Sequence, residues 1–74
     1  MKLTVKLFAN FRDGRFKEEP REYPDGTTIG AITDGLGIAR AQVGALFVNG
    51  RHGEFDRAAC ADDIVAIFPI VGGG

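Results

Sequence analysis

Two apolar strand patterns stand at opposite ends of this chain, and few small folds can use both. Lys2 to Ala9 alternates, with Leu3, Val5 and Leu7 on one face and Lys2, Thr4 and Lys6 on the other. That period predicts a half-buried strand. Phe8 breaks the pattern, standing where a polar residue is expected. Ile64 to Phe68 is an unbroken apolar run and predicts a buried strand, ended by Pro69, which cannot donate to a ladder. The most apolar strands belong at the centre of a sheet, so the first and last strands are expected side by side. With 74 residues the chain has room for one domain, which buries only about 60% of the surface its unfolded form exposes.

What lies between must supply the rest of that sheet and a cover for it. Asp13-Gly14 signals a turn. Phe16 to Tyr23 predicts a second strand, antiparallel to the first and demoted to an edge by Pro20. Pro24-Asp25-Gly26 is a further turn. Thr27 or Thr28 can cap a helix by accepting from an orphan amide. Ile29, Ile32 and Leu36 then recur at helical spacing, and Gly37 suits a left-handed C-terminal cap. Gly30 and Gly35 inside the helix each cost about 1 kcal/mol relative to alanine, so this short helix needs a sheet to pack on. Ile38 to Gly44 reads as loop with a partial turn. Ala45 to Val48 predicts a short strand, Asn49-Gly50 a tight turn, and Arg51 to Glu54 a brief return. Phe55 to Asp63 is irregular. The expected architecture is an α+β roll: a mixed four- to five-stranded sheet, one helix on one face, and the other face open to solvent or a partner.

Most chemistries are excluded or weakly supported. The net charge of -1 and the intermixing of signs argue against a nucleic-acid binder. No apolar run approaches the roughly 20 residues of a membrane span, and no signal peptide is visible. Cys60 is the one cysteine. No internal disulfide can form, and a reducing cytoplasm is the expected setting. Cys60 itself is expected as a small packing residue under a loop, with a catalytic thiol the alternative. His52 is the one histidine, expected on the surface of a turn, and no zinc site is expected. Asp62-Asp63 is expected to solvate the start of the last strand, since neighbours on a strand point to opposite faces. No Ser–His–Asp set and no phosphate-binding glycine spacing can be drawn. The chain is not expected to be an enzyme by itself.

The remaining candidate is the end of the chain. Ile70 and Val71 lead to Gly72, Gly73 and Gly74. Such a tail can be a frayed terminus. It can also thread a narrow slot, because glycine has no side chain, and present its carboxylate. A carboxylate is a poor electrophile until ATP converts it to an acyl-adenylate, which a sulfur nucleophile can attack to leave a thiocarboxylate. Phe8, Phe47 and Phe68 are candidates for an apolar docking patch on the open sheet face, where exposed aromatics would mark an interface. They could equally be core.

These pieces together carry a resemblance. Val5-Lys6-Leu7-Phe8-Ala9, the Val48-Asn49-Gly50 turn, and Asp63 to Pro69 running into the glycines resemble the β-grasp sulfur carriers of the ubiquitin-like superfamily. That family includes the small subunit of molybdopterin synthase (MoaD) and the thiazole sulfur carrier (ThiS). The resemblance spans the chain, and its last piece is the most specific. Two departures stand out. Asp62-Asp63 replaces the family's common Gly-Asp, and three glycines replace the usual pair after a small residue. Gly73-Gly74 is therefore taken as the pair, with Gly72 in the small-residue position; removal of Gly74 by processing would shift this by one.

The resemblance implies a β-grasp domain over residues 1–74 with a flexible glycine tail at 72–74. Gly74, assisted by Gly73, would be the site of adenylation and thiocarboxylation. Phe8, Phe47, Phe68, Pro69, Ile70, Val71 and Gly72 would meet the partners. Those partners would be an adenylating enzyme of the ubiquitin-activating type, which uses ATP, and the large subunit of molybdopterin synthase. No cofactor would be bound by this chain. Thiazole synthase is the alternative acceptor, and attachment to proteins as a ubiquitin-like modifier the other alternative.

Overall fold

A computed structural model describes residues 1–70. The elements run β1 (Lys2–Leu7), β2 (Glu18–Glu22), α1 (Ile29–Gly35), β3 (Val43–Val48), β4 (Arg51–His52) and β5 (Ile64–Pro69), with short 3-10 turns at Ala9–Arg12 and Arg40–Gln42. The strands form one sheet in the order β2-β1-β5-β3-β4. β1 and β5 are neighbours and parallel, with Val5 opposite Val65, and β5 is central, as its composition demanded. β2 is the outer strand, with Pro20 opposite Thr4; its charged pattern and proline suit an edge. This is the mixed-sheet β-grasp roll with one helix that the sequence pointed to.

One face of the sheet is filled. Leu3, Val5 and Leu7 from β1, Val65 and Ile67 from β5, and Leu46 and Val48 from β3 meet Ile29 and Ile32 of α1 in a buried core. Phe11, Ile38 and Ala59 close its ends. The Thr28 hydroxyl caps α1 by accepting from the Ala31 amide at 3.1 Å. Two further helix-start amides donate outward: Ile29 to the Arg57 carbonyl at 2.9 Å and Gly30 to the Phe55 carbonyl at 2.8 Å. The irregular segment after β4 thus serves the helix start. Gly37, at φ +74°, takes the left-handed conformation expected after the helix end. Arg15 is the unforeseen part of this cap. Its guanidinium donates to the carbonyls of Leu36 (2.9 Å), Gly37 (3.2 Å) and Phe11 (3.2 Å), placing a cation at the negative end of α1.

Several boundaries and roles differ from expectation. β1 stops at Leu7 because Ala9 turns to a positive φ of 51° and starts a 3-10 turn. β3 begins at Val43 rather than Ala45. Cys60 does not pack under a loop: it is exposed, and its neighbour Ala59 takes the buried position. Asp63 does not solvate the strand start. It is 6% exposed and accepts from the Asn49 side-chain amide at 2.9 Å and the Cys60 amide at 2.8 Å. The Asn49 side-chain oxygen accepts in turn from the Ile64 amide at 2.8 Å. This polar clip ties the β3–β4 turn to the head of β5, and every member finds a partner, as burial requires. The expected glycine tail at 72–74 lies outside the described residues.

Candidate functional site

The second face of the sheet has no helix. The pleat sends Ile64, Ala66 and Phe68 of β5, together with Phe47 of β3 and Lys6 of β1, to this side. The run Ile64–Phe68 is therefore not buried as a whole. Val65 and Ile67 are fully buried, while Ile64 is 42% exposed and Ala66 and Phe68 are half-buried. A continuous apolar run on a central strand normally implies cover on both faces. Here the cover is missing on one.

Phe8, Phe47 and Phe68 come together on that open face. The rings of Phe8 and Phe68 stack with centroids 4.0 Å apart and planes 10° apart. Phe47 meets Phe68 edge-on at 5.7 Å. Phe8 reaches this position because its backbone is still extended (φ -126°, ψ 153°) before the turn at Ala9, so the pleat that sends Lys6 to this face sends Phe8 there too. Arg12 fixes it there: its guanidinium lies 5.3 Å from the ring centroid, and its Nε donates to the Leu7 carbonyl at 2.7 Å. A hollow of about 540 Å³ is lined by Phe8, Phe47, Ile64, Ala66 and Phe68, with Lys6, Asn49 and Gly50 at its rim. A second hollow of about 470 Å³ shares Phe47 and Phe68 and runs along Gly44 and Ala45 to Pro69 and Ile70. The two form one apolar track leading to the point where the chain leaves the sheet.

The margins are polar. Lys6 lies 3.8 Å from Glu18 across β1 and β2. His52 packs edge-on against Phe47 at 6.4 Å, with Glu54 3.6 Å away; it is exposed, as expected. Away from the track, Arg40 forms a two-toothed pair with Asp34 at 3.1 and 3.0 Å and lies over Phe55. The hydrogen bond to Asp34 raises the pKa of this guanidinium above its usual value.

At the exit, Pro69 is buried and Ile70 is 59% exposed. The Ile70 amide donates to the Gln42 carbonyl at 2.9 Å. Val71, Gly72, Gly73 and Gly74, expected to carry the chemistry, lie outside the described residues. Among the described residues, no group of three or more His, Cys, Asp or Glu side chains is placed to hold a metal ion, and no helix is long and apolar enough to cross a membrane. The open-face aromatics were legible as candidates. Ile64, Ala66 and Arg12 were missed, the first two because an apolar run does not reveal which of its faces is covered.

The fold defines a class, the ubiquitin-like β-grasp proteins. Similar solved structures include SAMP1 of Haloferax volcanii (23% identical, all of both chains covered, TM-score 0.77). A Pyrococcus furiosus protein assigned as molybdopterin converting factor, subunit 1, is 27% identical over 96% of this chain and 99% of its own, with a TM-score of 0.77. The Haloferax volcanii HVO 2177 protein is 29% identical over all of this chain and 87% of its own, with a TM-score of 0.76. No curated protein sequence matches at a significant level. The ThiS family model matches residues 5–74, and the chain belongs to the ThiS family. It is a small ubiquitin-like protein of the ThiS/MoaD sulfur-carrier type.

Proposed function

We propose that this chain is a cytoplasmic sulfur carrier for molybdopterin biosynthesis, acting as a covalent co-substrate rather than a catalyst. Residues 1–74 form one carrier domain, and Gly74 is its working end. An adenylating enzyme of the ubiquitin-activating type joins the Gly74 carboxylate to the AMP portion of ATP, releasing pyrophosphate. The terminal sulfur of a persulfide then attacks the acyl carbon and AMP departs; a thiol cleaves the resulting acyl disulfide, leaving a thiocarboxylate on the chain and a disulfide on the sulfur donor. The large subunit of molybdopterin synthase accepts the tail and receives the sulfur. The carrier binds no cofactor of its own; ATP belongs to the enzyme. Phe8, Phe47, Phe68, Pro69, Ile70, Val71 and Gly72 meet these partners, with the aromatic track as the docking surface.

The observation that carries this reading is the family match through Gly74. The likeness to the Pyrococcus furiosus protein favours the molybdopterin branch. The ThiS model itself speaks for a second reading, delivery to the thiazole of thiamin through thiazole synthase, and attachment to other proteins would follow from the same activated terminus. Incubation with ATP, sulfide and the cognate adenylating enzyme tests all three. The C-terminal peptide gains the mass difference of sulfur for oxygen if the chain is a carrier. Adducts with other proteins would mark a modifier. Adding either synthase then assigns the branch. Deleting Gly73 and Gly74 abolishes loading and leaves the domain folded; a truncated chain that still takes up sulfur overturns the assignment.

A further inference from the structure

Gly44 is the second residue of β3, inside a ladder that glycine normally weakens, and its backbone does not need glycine's freedom, since its φ is not positive. The reason is a close approach. Val43 pairs with Pro69 and Ala45 with Phe68, so β3 spends two steps where β5 spends one. Gly44 is the extra residue of a β-bulge. A Cβ there would lie 2.7 Å from the Pro69 oxygen, 2.9 Å from the Ile70 Cα and 3.0 Å from the Ile70 nitrogen. All three are backbone atoms that no rotamer change can move aside. Two residues before Gly44, on the same flank, the Gln42 carbonyl accepts from the Ile70 amide at 2.9 Å. Pro69 has no amide to offer. The departing chain is thus held by a clasp: the hydrogen bond from Ile70 to Gln42 and a tight backbone passage at Gly44.

We infer that this clasp is a positioning device, with Gly44 and the Gln42 carbonyl setting the point and direction from which the tail reaches a partner's active site. The inference rests on the carrier reading above and extends it to a part of the domain far from the terminus in sequence. The geometry makes the aim consequential. Four residues follow Ile70, and fully extended they reach at most about 14 Å; a swing of about 15° at Ile70 would move a point at that distance by about 3–4 Å. Misplacing a reacting group by about 1 Å can cost about a hundredfold in rate. The apolar track, which shares Phe47 and Phe68 with the exit hollow, supplies affinity. The clasp supplies aim, so the two separate kinetically.

The test is sulfur loading of the full chain by the cognate adenylating enzyme, followed by mass, alongside binding by calorimetry and amide exchange by NMR. Gly44→Ala forces the Pro69–Ile70 backbone outward. The expected result is a fall in kcat of about ten- to a hundredfold, with Kd within about twofold of the unmodified chain. Should Gly44→Ala fail to fold, Ile70→Pro removes the donated amide while keeping Gly44, and Ile70→Ala keeps the amide while removing the side chain. A drop in kcat for the proline variant beyond that of the alanine variant supports the clasp. A folded Gly44→Ala that loads at the unmodified rate overturns it. An Ile70 amide that exchanges as fast as a free peptide in the unmodified chain also overturns it, whatever the enzyme does. An unmodified chain with a protected Ile70 amide that takes no sulfur overturns the carrier reading instead, and the positioning role with it.

Discussion

The two faces of the sheet are built from the same three strands, β1, β3 and β5, and both carry apolar side chains. On the covered face those side chains are branched aliphatics, Val5, Leu7, Val65 and Ile67, all excluded from water and capped by Ile29 and Ile32. On the open face they are aromatics packed on one another, Phe8 and Phe68 stacked and Phe47 edge-on, half-buried, with Ile64 exposed beside them. Aliphatics interdigitate and fill a closed volume. Stacked aromatics hold a fixed, largely flat surface without a cover, because ring–ring contacts stabilise them as a group. The lesson is a division within β5: its odd-numbered residues Val65 and Ile67 are locked in the core, while its even-numbered neighbours lie on the open face that we propose as the docking surface.

The most direct way to break this comparison is to truncate adjacent residues. Ile67→Ala removes a fully buried side chain and should cost about 2–5 kcal/mol. That is a large part of the stability of a domain this size, about 0.05–0.15 kcal/mol per residue. Phe68→Ala, one position on, should cost about 1 kcal/mol of stability, the worth of its ring contacts. It should weaken binding to the adenylating enzyme by about 2 kcal/mol or more, roughly a thirtyfold rise in Kd. Denaturant unfolding and calorimetry measure the two effects. If Phe68→Ala unfolds the domain as severely as Ile67→Ala, the open face is a second core and the division fails.

How much of this was legible follows from the same split. The covered face was readable because its residues obey a period, 2 on β1 and 3.6 on α1, and because Asn49-Gly50, now seen at φ +54° and +79°, can form only a tight hairpin turn. The centrality of β5 followed from composition. The open face was only half readable. Phe8 stood out as a misfit, and Phe47 and Phe68 as candidates for an apolar patch, but each such aromatic is equally a core residue until the helix is seen to cover the other side. The exit was not readable. Gly44 passed as the last residue of a loop, since the close approach that demands it comes from Pro69 and Ile70, distant in sequence. Asp63 was misjudged because its acceptance of the Asn49 amide is also a tertiary fact.

A smaller effect sharpens the boundary between the faces. Asp63→Ala leaves the Cys60 amide and the Asn49 side chain without their acceptor. It should cost about 1–3 kcal/mol of stability. Asn49 and Gly50 also rim the larger hollow, so a loosened turn should weaken binding modestly, by less than Phe68→Ala does. Asn49→Ala should reproduce the loss, and the double variant should cost less than the two single losses added together, because both sit in one network. Additive losses would show that the clip does not act as a unit.

The smallest expected effect is at Asp62, which sits outside both faces. It is exposed and holds a φ of +67°, in the left-handed region that costs a residue with a Cβ about 1–2 kcal/mol, aspartate less than most. Its amide donates to the Lys2 carbonyl at 2.8 Å, so the conformation is held by the strand pairing rather than chosen by the side chain. Asp62→Gly relieves the strain and keeps the amide, while the more flexible unfolded chain offsets part of the gain, by about 0.4–1 kcal/mol. The net expectation is a stabilisation of about 0.5 kcal/mol with loading and Kd unchanged. A domain destabilised by Asp62→Gly would mean that the aspartate side chain, and not the Lys2 contact, holds the entry into β5.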